Sequence, residues 1–342
     1  MRVFCANITV SFKVRLLPFL KACLNMIKRI VLVIAGLSVS VSVLAMCESE
    51  EKSAKYHGAL FDAMAQIDRG MYDQVLAKMD KSGVQGMALF GRLTHKSNGD
   101  ADVLALKKNF PQKFIIGTPK WFDLRGDVSA LYLRQTLSGL RDGPYQFVGE
   151  IMFAHGDKSH GEQTTSGERF VSADKPNVLQ LMQELQALQA PVMTHWEVYN
   201  WNRDWPAFHA LYGKFPQLTF IWPHAGFGSA VQAETVLSQH ENVIISLSKT
   251  EKDQRSLSSE EKSAQLGGAM IDDCGVILPE WRALLDRFPT RFMFATDAHK
   301  DFRWDKYGHI VNRWRHILGQ LPDEQAQMIA WKNAERVYGK PR

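Results

Sequence analysis

Lys175 to His195 reads KPNVLQLMQELQALQAPVMTH, and the order of patterns in this stretch decides the fold. From Lys175 to Ala190 the apolar residues recur at three- and four-residue spacing, as a helix with one buried face requires. A β-rich run, Val192 to Thr194, follows at once. Working outward, the same alternation continues: Phe147 to Ile151 reads as a strand before the helix. Residues 205–215, WPAFHALYGKF, read as a helix after it, leading to a strand at Thr219 to Ile221. Further strands are expected at Leu60 to Gln66, Val84 to Phe90, Phe114 to Gly117, Val243 to Ser246 and Phe292 to Ala295. Eight strands separated by helical crossovers over roughly 250 residues match a closed β/α barrel. A doubly wound open sheet competes, but the glycine-rich phosphate fingerprint after its first strand is missing. The expectation is therefore an α/β chain, a (β/α)8 TIM barrel in a single domain over residues 56–342.

Composition sets the remaining bounds. The 342 residues are 45% hydrophobic and 23% charged, an ordinary globular balance that excludes a disordered or multi-span membrane chain. Formal net charge is +5, but six of the 41 basic residues fall in the first 46 positions, which hold no acid. The body keeps 35 basic residues against 36 acidic ones, so no excess positive field draws nucleic acid to it.

From Met26 the chain reads MIKRIVLVIAGLSVSVSVLAMC, in which Lys28 and Arg29 precede an apolar run ending in small residues. This is the layout of a secretory signal peptide, and the run is shorter than the roughly 20 residues a spanning helix needs. Two processing readings stand side by side. Cys47 resembles the lipidated first residue of a bacterial lipoprotein, although Met46 departs from the Gly, Ala or Ser usual before it. Cleavage after Ala45 instead yields a soluble exported chain. Residues 1–46 are accordingly read as leader, with Met26 as an alternative start, and residues 47–55 as a tether. Of four cysteines, only Cys274 lies in the body, so no disulfide framework is expected there.

In a β/α barrel the residues at the carboxyl ends of the strands converge on one face. The sequence places Glu150 on strand four, His195 at the end of strand five, His224 after strand six and Asp297 after strand eight. Two imidazoles and a carboxylate form a set that holds zinc with one position open for water. Asp297 beside it is placed for general acid/base work.

The strings GALFDAMAQID, GEIMF, THW, FPQLTFIWPHAGF, NVIISLS, RFMFATDAH and WKNAERVYG together resemble the amidohydrolase superfamily, in its amidohydrolase-related branch. The resemblance spans roughly residues 56–339, and PHAG and ATDAH carry it most specifically. It implies a metal-dependent β/α barrel that hydrolyses amides, esters or lactones, with some members decarboxylating aromatic acids. One motif departs from the family. Its first strand ends in His-x-His, whereas this chain has Met64-Ala65-Gln66, and a thioether and an amide are poor substitutes as ligands. Three outcomes follow: one metal held by Glu150, His195 and His224; a barrel without metal or catalysis that binds a small ligand; or metal-free chemistry by Asp297 and a histidine.

Trp196, Tyr199, Trp201 and Trp222 lie close in sequence to these residues and are read as flat walls for a sugar or aromatic ring. Lys249 and Arg303 are candidates to pair with a substrate carboxylate or phosphate, and His299 to join a proton relay with Asp297. His155 and His160 follow strand four on a loop that reaches toward the site. The expected ligand is a small molecule with a carbonyl centre, the expected cofactor one zinc ion, and any membrane contact runs through Cys47. No nucleophile elbow, phosphate-binding loop or paired CxxC motif occurs.

Overall fold

The structure is a computed structural model that describes residues 55–94, 97–121, 128–156, 169–248, 250 and 269–340. Eight parallel strands form the frame: β1 Leu60–Ile67, β2 Val84–Thr94, β3 Phe114–Ile116, β4 Val148–His155, β5 Val192–Trp196, β6 Phe220–Pro223, β7 Val243–Leu247 and β8 Phe292–Phe294. All eight lie where the sequence puts them. Strand pairing runs from β1 through β2 to β3, and separately from β4 through β5, β6 and β7 to β8. Two parallel bridges, Gly117 with Phe147 and Ala65 with Ala298, join these arcs and close the (β/α)8 barrel.

The helices packed outside it include α1 Tyr72–Ser82, α2 Asp100–Asn109, α3 Ala130–Arg141, α4 Pro176–Leu188, α5 Trp201–Lys214, α6 Ala230–Gln239 and α7 Pro279–Arg287. Helix α4 carries Val178, Leu181, Met182 and Leu185 on its buried face, the spacing read in the sequence. Its start suits Pro176, since a first-turn residue needs no N–H partner. After β8 come the short α8 Asp301–Asp305 and then α9 Tyr307–Gly319. Among the described residues no helix is long and apolar enough to cross a membrane.

Apolar side chains form two layers, as a closed barrel demands. Inside lie Met64, Ala88, Ile115, Met193, Ile221, Ile244 and Met293, while a larger shell fills the space between strands and helices. The alternation along β1 is broken by a register shift between Asp62 and Ala65, so Ala63 and Met64 both join the inner layer. Such a bulge re-aims side chains beside a site. Near the chain's end, Tyr338 donates to the Ala63 carbonyl and packs on Phe147, 4.9 Å between ring centres, covering the end of the barrel where β1 and β4 begin.

Asp62 is the staple of the closure. Its fully buried carboxylate accepts from the Thr296 N–H and hydroxyl, from Met64 N–H and from the Tyr307 hydroxyl, tying β1 to β8 and α9. The leader, Ala45, Cys47, the tether through Ala54, His160 and Lys249 lie outside the described residues, as do residues 251–268.

Asp62→Ala leaves the Thr296 and Tyr307 donors buried without an acceptor, and about 3 kcal/mol of stability should be lost in urea denaturation. Burial pushes the Asp62 carboxyl up to about 6 against the opposing hydrogen bonds. The folded chain then holds a proton that the unfolded chain has released. Stability from this group is greatest below its ordinary value of 3.8 and is lost as pH rises through about 6. Asp62→Asn should flatten that slope, and an unchanged slope counts against the assignment.

Candidate metal centre

Side chains from different strands meet above the inner layer. Glu150 comes from β4, His195 from β5 and His224 from the turn after β6, and one donor atom of each lies within 4.8 Å of the other two. All three are buried. His195 Nδ1 is 2.6 Å from Glu150 Oε1, and His224 Nε2 is 3.8 Å both from that oxygen and from Asp297 Oδ2. The site-facing atoms of the four groups thus surround one point.

The far nitrogen of each imidazole is also engaged. His195 Nε2 lies 3.4 Å from Glu197 Oε1, and His224 Nδ1 pairs with the Ser248 hydroxyl. Glu197, fully buried, accepts in addition from the Gly156 N–H at 2.8 Å. Outer acceptors of this kind fix ring orientation and tautomer in metal-ligating histidines. The donor set and its supports fit a divalent cation.

Backbone conformation supports the same place. Five described non-glycine residues have positive φ, and four of them are His224 at 61°, Ala225 at 50°, Phe227 at 60° and Asp297 at 47°. Such conformations cost energy and cluster at functional sites. Gly226 sits among them at φ +59°, where a Cβ would lie 2.5 Å from the Trp196 carbonyl oxygen. The turn that aims His224 therefore needs glycine at this position.

Charge is balanced within the cluster. Burial alone would raise the Glu150 carboxyl, but Lys120 and His195 hold it well below the usual range. Asp297 is likewise held down by His299, His224 and Arg303 against its burial. Burial lowers His224, keeping its ring neutral as a ligand must be, whereas Glu150 and Glu197 raise His195 against its own burial. His299 Nδ1 is 2.7 Å from the Asp297 carbonyl oxygen and 3.4 Å from its Oδ1, which brings the expected relay partners together.

Met64 and Gln66 of β1 take different parts. Met64 is fully buried in the inner layer, its sulfur 3.9 Å from the Ser246 hydroxyl. Gln66 enters the site: its Nε2 donates to Glu150 Oε2 at 3.2 Å and to Asp297 Oδ1 at 3.0 Å, while its Oε1 is buried without a protein partner.

The tryptophan walls require correction. Trp196 and Trp222 stack on each other at 4.7 Å, and Trp196 stacks on Phe208 of α5 at 4.5 Å, so both belong to the core between strands and helices. Trp201 and Tyr199 pack with this same outer cluster. Alternation along a strand explains the outcome, since the neighbour of an inward His195 faces outward. Arg303 donates to the Thr296 carbonyl, bracing the segment before Asp297.

Three further groups join the site, of which only His155 is expected near it from the sequence. Phe227 stacks on His224 with ring centres 4.8 Å apart, inside the PHAGF string already singled out. His155, expected only near the mouth, stands 5.8 Å from the His195 ring. Lys120 forms a buried ion pair with Glu150, arriving on a two-residue extension, Lys120–Trp121, that pairs with Arg92 and Leu93 of β2. Gly149 permits this approach, because a Cβ there would meet the Thr118 carbonyl oxygen at 2.2 Å. The available signal was a basic residue just past the end of strand three.

With fold and geometry in hand, comparison with known proteins agrees. A family model described as Amidohydrolase matches residues 152–340, more than half of the chain, and the protein belongs to that family. The match takes in His195, His224 and Asp297 and begins just after Glu150. No curated protein matches the sequence. Among solved structures, an uncharacterized TIM-barrel protein from Bordetella bronchiseptica is 12% identical with a TM-score of 0.55, over 82% of this chain and 98% of that one. A probable 2-pyrone-4,6-dicarboxylic acid hydrolase from Acinetobacter baumannii, solved with citric acid bound, is 10% identical with a TM-score of 0.52, over 82% and 99%. An amidohydrolase from Burkholderia multivorans with bound HEPES is 16% identical with a TM-score of 0.50, over 83% and 100%. At these identities the likeness establishes the shared barrel.

Gly226→Ala should lower stability by about 2 kcal/mol or more in thermal unfolding, through backbone strain and the carbonyl clash. An unchanged melting temperature would show that the turn tolerates a side chain.

Proposed function

We propose that the protein is a metal-dependent hydrolase in which Glu150, His195 and His224 hold one divalent cation, zinc, for attack of water on an amide, ester or lactone carbonyl. The observation that carries this reading is the convergence of three ligand atoms with both outer imidazole nitrogens already engaged. Two nitrogens and an oxygen suit zinc with a position left for water. Bound there, the cation supplies Lewis-acid chemistry, acidifying water and polarising a carbonyl. Asp297, ionised at neutral pH and 3.8 Å from His224 Nε2, accepts the proton from water and returns it to the leaving group. Gln66 Nε2 and His299 hold that carboxylate in place. Phe227, stacked on His224, keeps one side of the site apolar. The signal-like leader favours work outside the cytoplasm.

A second reading is favoured by the Lys120 ion pair, which already neutralises Glu150. In it the barrel binds a small ligand without metal or catalysis.

Metal analysis separates the two. Chain purified after zinc-supplemented expression should carry about one zinc, lost in Glu150→Ala and His224→Ala. Asp297→Asn should keep the metal and lose roughly 10²- to 10⁴-fold in turnover of whichever lactone, N-acyl sugar or aromatic ester proves active. A wild-type chain without bound metal refutes the hydrolase reading.

A further inference from the structure

Glu150 and Asp297 each divide their two oxygens between opposite sides of the site. Glu150 Oε1 and Asp297 Oδ2 face the imidazoles, each 3.8 Å from His224 Nε2. Glu150 Oε2 and Asp297 Oδ1 face the other way, where Gln66 Nε2 meets both, at 3.2 and 3.0 Å. The Lys120 ammonium pairs with the same Glu150 Oε2. Two buried carboxylates on one side would draw in a cation, because an uncompensated buried charge is costly. Here the chain itself supplies positive charge and N–H donors.

From this division we infer that Lys120 and Gln66 stand in for a second cation and restrict the site to a single metal ion. The inference rests on the metal reading proposed above and adds what limits its stoichiometry. A divalent ion on the Oε2/Oδ1 side would need those oxygens as ligands. Both are occupied by N–H donors, and Nε2 of an amide offers no lone pair to replace them. It would also lie against the Lys120 ammonium, whose side chain is 7% exposed beside a Glu150 side chain that is 2% exposed, so water does little to screen the repulsion.

The two donors are anchored from behind. Gln66 is fixed through its backbone, its N–H donating to the Ala298 carbonyl and its own carbonyl accepting from Trp304 Nε1 at 3.0 Å. Lys120 is carried on the strand extension paired with β2, and the missing side chain at Gly149 lets that extension come close to β4. The imidazole side differs in kind: with His195 Nε2 turned to Glu197 and His224 Nδ1 to Ser248, a neutral ring can present a lone pair at the nitrogen turned to Glu150 or Asp297, which an ammonium or an amide N–H cannot. One side is built to be filled by a metal and the other is filled by the protein.

The test is metal stoichiometry by elemental analysis after dialysis against excess zinc, with circular dichroism confirming the fold. Wild type and Lys120→Arg should hold about one zinc per chain. Lys120→Met combined with Gln66→Glu removes the charge and adds a carboxylate, and should raise the content to about two. Calorimetric titration of metal-stripped wild type should show one binding event, a reading that needs no variant to fold. Two zinc ions in wild type, or a folded double variant that still holds one, overturns the inference while leaving the metal reading intact. A wild-type chain that holds none defeats both.

Discussion

A carboxylate buried to 4% exposure has to be compensated, and the way Glu150 is compensated organises everything around it. Lys120 and Gln66 meet one of its oxygens, and His195 the other. These partners come from β1, from the extension after β3 and from β5, with His224 and Asp297 added after β6 and β8. No short segment of chain could assemble them. Only a closed barrel brings so many strand ends to one point, and in a low-dielectric interior the charges reach their balance only if closure is complete.

Closure in turn is secured beneath and beside the site. Asp62 ties β1 to Thr296, the residue immediately before Asp297, and Arg303 holds the Thr296 carbonyl. The left-handed backbone at Asp297 and at the His224 turn is thus kept in place by hydrogen bonds and by the glycine between Ala225 and Phe227. Structural and chemical roles are separated by one or two residues at each position: Thr296 beside Asp297, Trp196 beside His195, Trp222 two before His224.

That spacing explains what was legible. The eight strands were plain in the sequence because apolar runs and helical periodicity survive as local patterns, and the four residues Glu150, His195, His224 and Asp297 followed from their places at strand ends. The tryptophans were misplaced because nearness in sequence was taken for nearness in space, while strand alternation sends Trp196 to the helix layer. Met64 and Gln66 could not be told apart locally. The bulge between Asp62 and Ala65 decides which side chain each strand position turns inward, and a bulge leaves no mark in composition. Lys120 was hidden because its meaning lies in Glu150, 30 positions away. The family match begins only at Met152, so the strands that supply Gln66 and Lys120 lie outside it.

The central claim is that one side of this cluster is a metal site. Anomalous scattering across the zinc absorption edge, from crystals of the full chain grown with zinc, tests it most directly. The account predicts a single peak bonded to Glu150, His195 and His224, with Lys120 still turned to the opposite oxygen of Glu150. A map without a peak there, with His195 resting on Glu150 through a shared proton, would contradict it.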